Sequence, residues 1–327
     1  MPVVPLIDLT PARSGGLADR RQAARLIDEA CVSIGFFTVA GHGVPDAVVG
    51  HLRAAAHTFF AMPLESKQRA SPGDGRTPRG YHALGGEALA AANDGIAPPD
   101  LKEFYHVGPV DVDDEPYYTS ARGRQFFLAN IWPDGTPDFR AAAIAYYRAM
   151  QELVRFLMRL AALGLGLPEP YFDDKISRSI GTMRLNYYPP QRRPPLPGQL
   201  RAGAHTDYGG LTVLNGDDVP GGLQVRARDG RWIDVRTAPD QFVINIGDLL
   251  MRWTNDRWLS NLHRVVNPPQ EAGVRAPRLS IAFFNHPNWD VMIECVAPPG
   301  LARYQPVLSG DYRDLKYAKT GLATTGP

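Results

Sequence analysis

The chain has 327 residues, 35 basic against 34 acidic, and a formal net charge of +1. That length fits one large domain with additions, or two domains, and a balanced charge with no block of like charges argues against a nucleic-acid or membrane-surface protein. The two cysteines, Cys31 and Cys295, belong to no CxxC or Cys/His metal spacing, which excludes a disulfide framework or zinc finger and makes a reducing cytoplasm the expected setting.

No apolar run approaches ~20 residues, and the N-terminus lacks both a basic n-region and a long apolar core, so neither a membrane span nor a secretory signal is expected. Val3 to Asp8 reads as a short strand. Leu17 to Val32 reads as an amphipathic helix with Leu17, Ala24, Leu26, Ile27 and Cys31 broadly on one side. A strand at Gly35 to Val39 closes in the turn Gly41-His-Gly-Val-Pro45, and a helix runs from Pro45 or Asp46 to about Phe60. The Gly41-His-Gly43 turn invites a dinucleotide-binding reading, but the third glycine is missing and Pro45 leads directly into a helix.

Residues 68–136 carry many turn signals and read as long functional loops around short strands near Phe104 to Val107. From Pro137, apolar residues recur at steps of three and four (Phe139, Ala143, Tyr146, Met150, Leu153, Phe156, Leu157, Leu160), predicting a helix of about 26 residues ended by Gly164 to Pro168. After Ile180 short apolar runs at 181–188, 202–206, 211–214, 223–226, 231–235, 241–246, 262–266 and 278–285 alternate with Gly, Pro and Asp turns, the pattern of a sandwich or jelly roll. The stretch Pro189 to Pro197, with Arg192 and Arg193, reads as a loop within this region. The chain thus divides into an N-terminal region with loops (1–136), a long backbone helix (137–170), a strand-rich core (171–300) and a C-terminal tail (301–327).

Within the core stands His205-Thr206-Asp207. On a strand, side chains at i and i+2 share a face, so imidazole and carboxylate could reach one metal ion while Thr206 points away. His263, in a second strand-like run, would complete two histidines and one carboxylate, a set that suits non-haem Fe(II) and leaves positions for a cosubstrate and dioxygen. By itself a His-x-Asp pair is more often a surface or hydrogen-bonded pair. Arg278-Leu-Ser280 points a guanidinium and a hydroxyl to one side of the following strand, a combination fitted to a carboxylate. Met183 to Pro189 places Arg184, Asn186 and Tyr188 on one strand face, where a buried tyrosine hydroxyl needs a polar partner.

The ordered motifs Asn186-Tyr-Tyr-Pro189, Ala204-His-Thr-Asp-Tyr-Gly-Gly-Leu-Thr-Val-Leu214, Pro220-Gly-Gly-Leu-Gln-Val225, Ile244-Asn-Ile-Gly-Asp248, Trp253-Thr-Asn255, His263-Arg-Val265 and Arg278-x-Ser280 resemble the isopenicillin N synthase-like branch of the 2-oxoglutarate- and Fe(II)-dependent dioxygenases. Ile34-Gly-Phe-Phe37, Gly41-His-Gly-Val-Pro45, Pro63-Leu-Glu-Ser-Lys67, Arg79-Gly-Tyr81, Lys102-Glu-Phe104 and Asn130-x-Trp-Pro133 are similar to that family's N-terminal region, so the likeness covers nearly the whole chain.

The resemblance implies mixed α and β structure: a distorted double-stranded β-helix (jelly roll) with N-terminal helices and strands packed around it. It implies Fe(II) bound by His205, Asp207 and His263, and 2-oxoglutarate held by Arg278 and Ser280 with help from Tyr188 and Asn186. Phe104 and Phe284 would wall the substrate pocket. With O2 and 2-oxoglutarate as cosubstrates, the implied reaction oxidises an unactivated C–H of a small molecule by hydroxylation, desaturation, ring closure or epoxidation. Three other readings stay open on the residues: an isopenicillin N synthase-like oxidase that uses no 2-oxoglutarate, an ethylene-forming-type enzyme, and a non-catalytic jelly-roll binding protein. Arginine outnumbers lysine 30 to 5, which hints at a GC-rich genome and bacterial specialised metabolism. The sequence leaves the substrate and the oligomeric state open.

Overall fold

The computed structural model describes residues 4–73, 77–91, 97–191, 193–236, 238–269, 277–298 and 300–319. Val3, Arg192 and the segment after residue 319 lie outside them. Strand β1 (Leu6–Asp8), helices α1 (Thr10–Ser14) and α2 (Leu17–Ser33), strand β2 (Phe36–Ala40) and helices α3 (Asp46–Phe60) and α4 (Leu64–Gln68) open the chain. Strands β3 (Gly80–His82) and β4 (Glu103–Val107), the short helix α5 (Pro116–Thr119) and the long helix α6 (Pro137–Gly164) follow. The second half runs β5 (Thr182–Tyr188), β6 (Ala202–His205), β7 (Leu211–Gly216), β8 (Leu223–Arg226), β9 (Trp232–Asp234) and β10 (Phe242–Ile246). It continues with α7 (Asp248–Trp253), β11 (His263–Val265), β12 (Arg278–Phe284), the pair β13 (Met292–Ile293) and β14 (Val307–Leu308), and α8 (Ser309–Lys319).

Local chemistry explains the helix ends. The Asp19 carboxylate accepts the Gly16 N–H at 2.9 Å and caps the start of α2, where free amide groups favour an acid. Helix α6 begins at a proline, whose missing N–H costs nothing in the first turn, and stops where Gly166 turns to φ +73°. Its stripe from Phe139 to Leu160 is buried as the three- and four-residue spacing requires, except that Phe156 is half-buried beneath the Arg13 guanidinium.

Eight strands form one sheet in the order β1-β2-β10-β7-β12-β5-β4-β3, and four form a second, β6-β11-β8-β9. The two are the jelly-roll core. Period-two alternation sorts the side chains of the large sheet. Met183 and Leu185 of β5 and Leu279, Ile281 and Phe283 of β12 join the helix-side core with α6. Arg184, Asn186 and Tyr188, and Arg278, Ser280 and Phe284, turn the other way and line a cavity of about 450 Å³ closed by the second sheet. The strands are antiparallel with Arg278 opposite Tyr188 and Ser280 opposite Asn186, so these four converge.

Several expectations need correction. Leu26 of α2 is exposed because the buried stripe runs through Ala23, Ala24, Ile27, Ala30 and Cys31, one position off from it, and Leu17, the first residue of the helix, is exposed as well. The segment 68–136 contains β3 and α5 besides β4, and residues 301–327 hold β14 and α8. The Gly41-His-Gly43 turn, which lacks the third glycine of a dinucleotide motif, needs no such correction and is a structural corner: buried His42 accepts the Val44 N–H at 3.1 Å, and its Nε2 lies 3.0 Å from the Asp240 carbonyl. Both cysteines are free, and no helix among the described residues is long and apolar enough to cross a membrane.

Candidate active site

His205 ends β6 and pairs across the small sheet with His263, the first residue of β11. Asp207 lies just beyond the strand rather than on it, since its backbone carbonyl leaves the ladder to accept the Asp248 N–H at 2.7 Å. The three side chains nevertheless converge: Asp207 Oδ1 is 3.9 Å from His205 Nε2 and 3.7 Å from His263 Nε2. Among the described residues this is the group of His, Cys, Asp or Glu whose ligand atoms all lie within 4.8 Å of one another. Thr206, expected to point away, bonds the Asp248 carboxylate at 3.2 Å and also borders the cavity.

The remaining atoms of each side chain are committed elsewhere. His205 Nδ1 sits 2.8 Å from the Gly203 carbonyl and His263 Nδ1 3.1 Å from the Asn261 carbonyl, which fixes the proton on Nδ1 and leaves each Nε2 lone pair facing Asp207. Asp207 Oδ2 accepts Thr212 Oγ1–H at 2.6 Å and Asn245 Nδ2–H at 2.7 Å, leaving Oδ1 for the centre. Burial, reinforced by the neighbouring His263, pushes the His205 imidazole down to about 3, so it is neutral and able to donate a lone pair. Burial raises the Asp207 carboxyl, but both histidines and the Asn245 and Thr212 bonds outweigh it and hold it ionised. Two imidazoles with Nε2 turned inward, one carboxylate and a bordering cavity fit a divalent cation with open positions.

Further along the same cavity, Arg278 is 3% exposed, and its Nε and Nη1 have no hydrogen-bond partner. Burial pushes its pKa below arginine's usual value. A buried cation with orphaned donors fits a carboxylate ligand, and Ser280, Asn186 and Tyr188 line the cavity beside it. Gly216 allows this placement, since a Cβ there would come 2.9 Å from Arg278 Nη2.

Phe284 lines the cavity, whereas Phe104 is set behind it: the Arg184 guanidinium stands 4.4 Å from the Phe104 ring centre and covers it, with His82 stacked at 4.5 Å. The expectation that Phe104 forms the wall is therefore corrected to Arg184. Arg184 in turn is held by Glu87, whose two oxygens lie 3.0 Å from Nη1, and Lys102 bonds both Glu87 and Asp100 at 2.9 Å. His106, level with Arg184 on the neighbouring strand, and Tyr317 of α8 also line the cavity. Thr212, Asn245, Glu87, His106 and Tyr317 received no role from the sequence. A signal existed for two of them: Asn245 and His106 each interrupt a fully buried strand with a polar side chain.

The profile described as the 2OG-Fe(II) oxygenase superfamily matches residues 179–287, and one described as non-haem dioxygenase in morphine synthesis N-terminal matches residues 4–135. A "2-oxoglutarate-Fe(II) type oxidoreductase hxnY" of Emericella nidulans is 35% identical over 92% of this chain and 84% of its own length. The "Validamycin A dioxygenase" of Streptomyces hygroscopicus subsp. limoneus is 29% identical, covering 94% and 83%. Among solved structures, that of a full-length Neurospora crassa protein in complex with alpha-KG and thymine superposes with a TM-score of 0.82 at 32% identity, covering 98% of this chain and 97% of that one. Likeness of this extent, over both halves of the chain and around a His-Asp-His centre, places the protein among the Fe(II)- and 2-oxoglutarate-dependent oxidoreductases: it belongs to the 2OG-Fe(II) oxygenase superfamily.

Proposed function

We propose that His205, Asp207 and His263 hold the Fe(II), that Arg278, Ser280 and Tyr188, assisted by Asn186, hold 2-oxoglutarate, and that the enzyme oxidises an unactivated C–H of a small molecule. The observation that carries this reading is the buried Arg278 guanidinium, orphaned at Nε and Nη1, in the same cavity as the three converging ligands. Bound Fe(II) with 2-oxoglutarate and O2 supplies the oxidising equivalents, 2-oxoglutarate leaving as succinate and carbon dioxide.

The protein's own part is orientation and charge. The carbonyls of Gly203 and Asn261 keep both imidazoles turned inward, Thr212 and Asn245 hold the Asp207 carboxylate in one rotamer, and Arg278 neutralises the distal carboxylate. Phe284, Leu214 and Val265 make the cavity wall partly apolar, which excludes water and fixes which substrate carbon faces the metal. Hydroxylation is the outcome this arrangement needs least help to reach, because it requires only that one C–H be held close.

A bacterial specialised pathway is the setting we infer. Its support is the arginine-rich composition and the likeness to the Streptomyces dioxygenase, although several relatives come from fungi and plants. The test is a screen of small metabolites with Fe(II), 2-oxoglutarate and O2, read as succinate released in step with an oxidised product. Product formed at full rate without 2-oxoglutarate would refute the assignment of Arg278.

A further inference from the structure

The cavity has a second polar region, remote from Arg278. Arg184 lies four residues before Tyr188 on β5, about 13 Å along the strand, and Tyr188 faces Arg278. His106, opposite Arg184 on β4, is 3% exposed, lines the cavity, and has no hydrogen-bond partner at either nitrogen. Arg184 serves Glu87 through Nη1 alone, and its buried Nε has no partner. Glu87 is the carboxylate of this region that borders the cavity, and Arg184 and Lys102 both already bind it. Arg79 and Arg313, both buried, are near enough to act on His106; Arg79 donates to the backbone carbonyls of Pro78 and Phe126, and Arg313 donates to the Gln125 carbonyl and lies 3.9 Å from Asp314. Burial, with Arg184, Arg79 and Arg313 nearby, keeps His106 neutral, so it offers one N–H donor and one lone pair. On this stretch of the cavity wall Arg184 Nε and a His106 N–H are donors without a partner, while the bordering carboxylate, Glu87, is already bound twice.

We propose that the substrate is a carboxylic acid whose carboxylate docks on Arg184 and His106, presenting its far end to the metal. This rests on the oxygenase reading above and narrows it to a substrate class. An amine would meet Arg184 and Lys102 with no uncommitted acid to receive it, and a hydrocarbon would leave the His106 and Arg184 donors buried and unpaired.

The test uses the intact enzyme with Fe(II) and 2-oxoglutarate under anaerobic conditions. Benzoate, phenylacetate, cinnamate and cyclohexanecarboxylate are each compared by calorimetry with the matching primary amide. Acids binding at least tenfold tighter than their amides is the expected result, with that preference falling below threefold in Arg184→Lys and in His106→Leu. Arg184→Lys keeps a cation for Glu87, and His106→Leu removes a side chain with no partner, so thermal melting should report both as folded. 2-Oxoglutarate affinity is measured in parallel. If wild-type enzyme fails to bind 2-oxoglutarate, the oxygenase reading falls. If it binds 2-oxoglutarate but the amides bind as well as the acids, no acid binds, or both variants keep the preference, this inference alone is overturned.

Discussion

Asn245→Leu tests whether Asp207 is held for metal binding by bonds to its outer oxygen. Asn245 is 3% exposed on β10, directly opposite Thr212 on β7, and the two side chains donate to the same Asp207 Oδ2 at 2.7 and 2.6 Å. Leucine keeps the volume and removes the donor. A hydrogen bond to a charged group is worth about 1.5–3 kcal/mol, and each 1.4 kcal/mol is tenfold. The expected loss of Fe(II) affinity is therefore about 10- to 100-fold, the range found when residues that orient metal ligands are removed. Thr212→Val should act in the same range, and the double variant should cost less than the two losses combined, because both bonds end on one oxygen. The assay is anaerobic competition for Fe(II) against a chromophoric chelator, with thermal melting as a folding control. Affinity within twofold of wild type in both single variants would refute the reasoning.

Two further outcomes follow from the packing around the cavity. Glu87→Gln breaks a buried network and should cost about 3–5 kcal/mol of stability at neutral pH. Because Arg184 and Lys102 overcome burial and hold the Glu87 carboxyl well below the usual range, its stabilisation is complete above the unfolded value of about 4.3 and declines as pH falls below it. Denaturant unfolding of both proteins from pH 7 to 3 should therefore show a constant gap down to about 4.3 that then narrows; a gap that widens in acid would contradict this sign. Gly216→Ala, with a Cβ directed at Arg278 Nη2 from 2.9 Å, should weaken 2-oxoglutarate binding about tenfold while the melting temperature holds, since the flexible guanidinium can shift; unchanged binding would show that Arg278 tolerates displacement.

The second half of the chain was more legible in sequence than the first. Strands β5 to β12 are short, regularly punctuated and alternate between a helix-side core and a cavity, so pattern alone located them to within about two residues, and i, i+2 spacing correctly paired Arg278 with Ser280. The same rule reached the right neighbours for His205 and Asp207 for a partly wrong reason, because Asp207 lies past the strand end and is aimed by the backbone bond to Asp248. Contacts between distant segments were invisible. Glu87 and Lys102 lie in a turn-rich region whose local pattern contains nothing about Arg184, and Phe104, expected as a pocket wall, is covered by the Arg184 side chain from the neighbouring strand. Helix α8 was missed because its exposed, charged residues lack a strong apolar stripe; its Lys316 bonds Asp248 at 2.5 Å, and Tyr317 reaches the cavity.

The central claim is that one cavity holds Fe(II) on His205, Asp207 and His263 and 2-oxoglutarate on Arg278, and an anaerobic spectroscopic titration tests it most directly. Adding 2-oxoglutarate to the Fe(II) protein should produce the weak visible metal-to-ligand charge-transfer band of a chelated keto acid. In Arg278→Ala the same band should require roughly 10- to 100-fold more 2-oxoglutarate, the loss of one charged hydrogen-bonding partner, with Fe(II) affinity retained. Tyr188→Phe should shift it in the same direction by less. Replacing any of the three metal ligands should abolish the band. No band in the wild-type protein, or an Arg278→Ala titration that overlays it, would contradict the account.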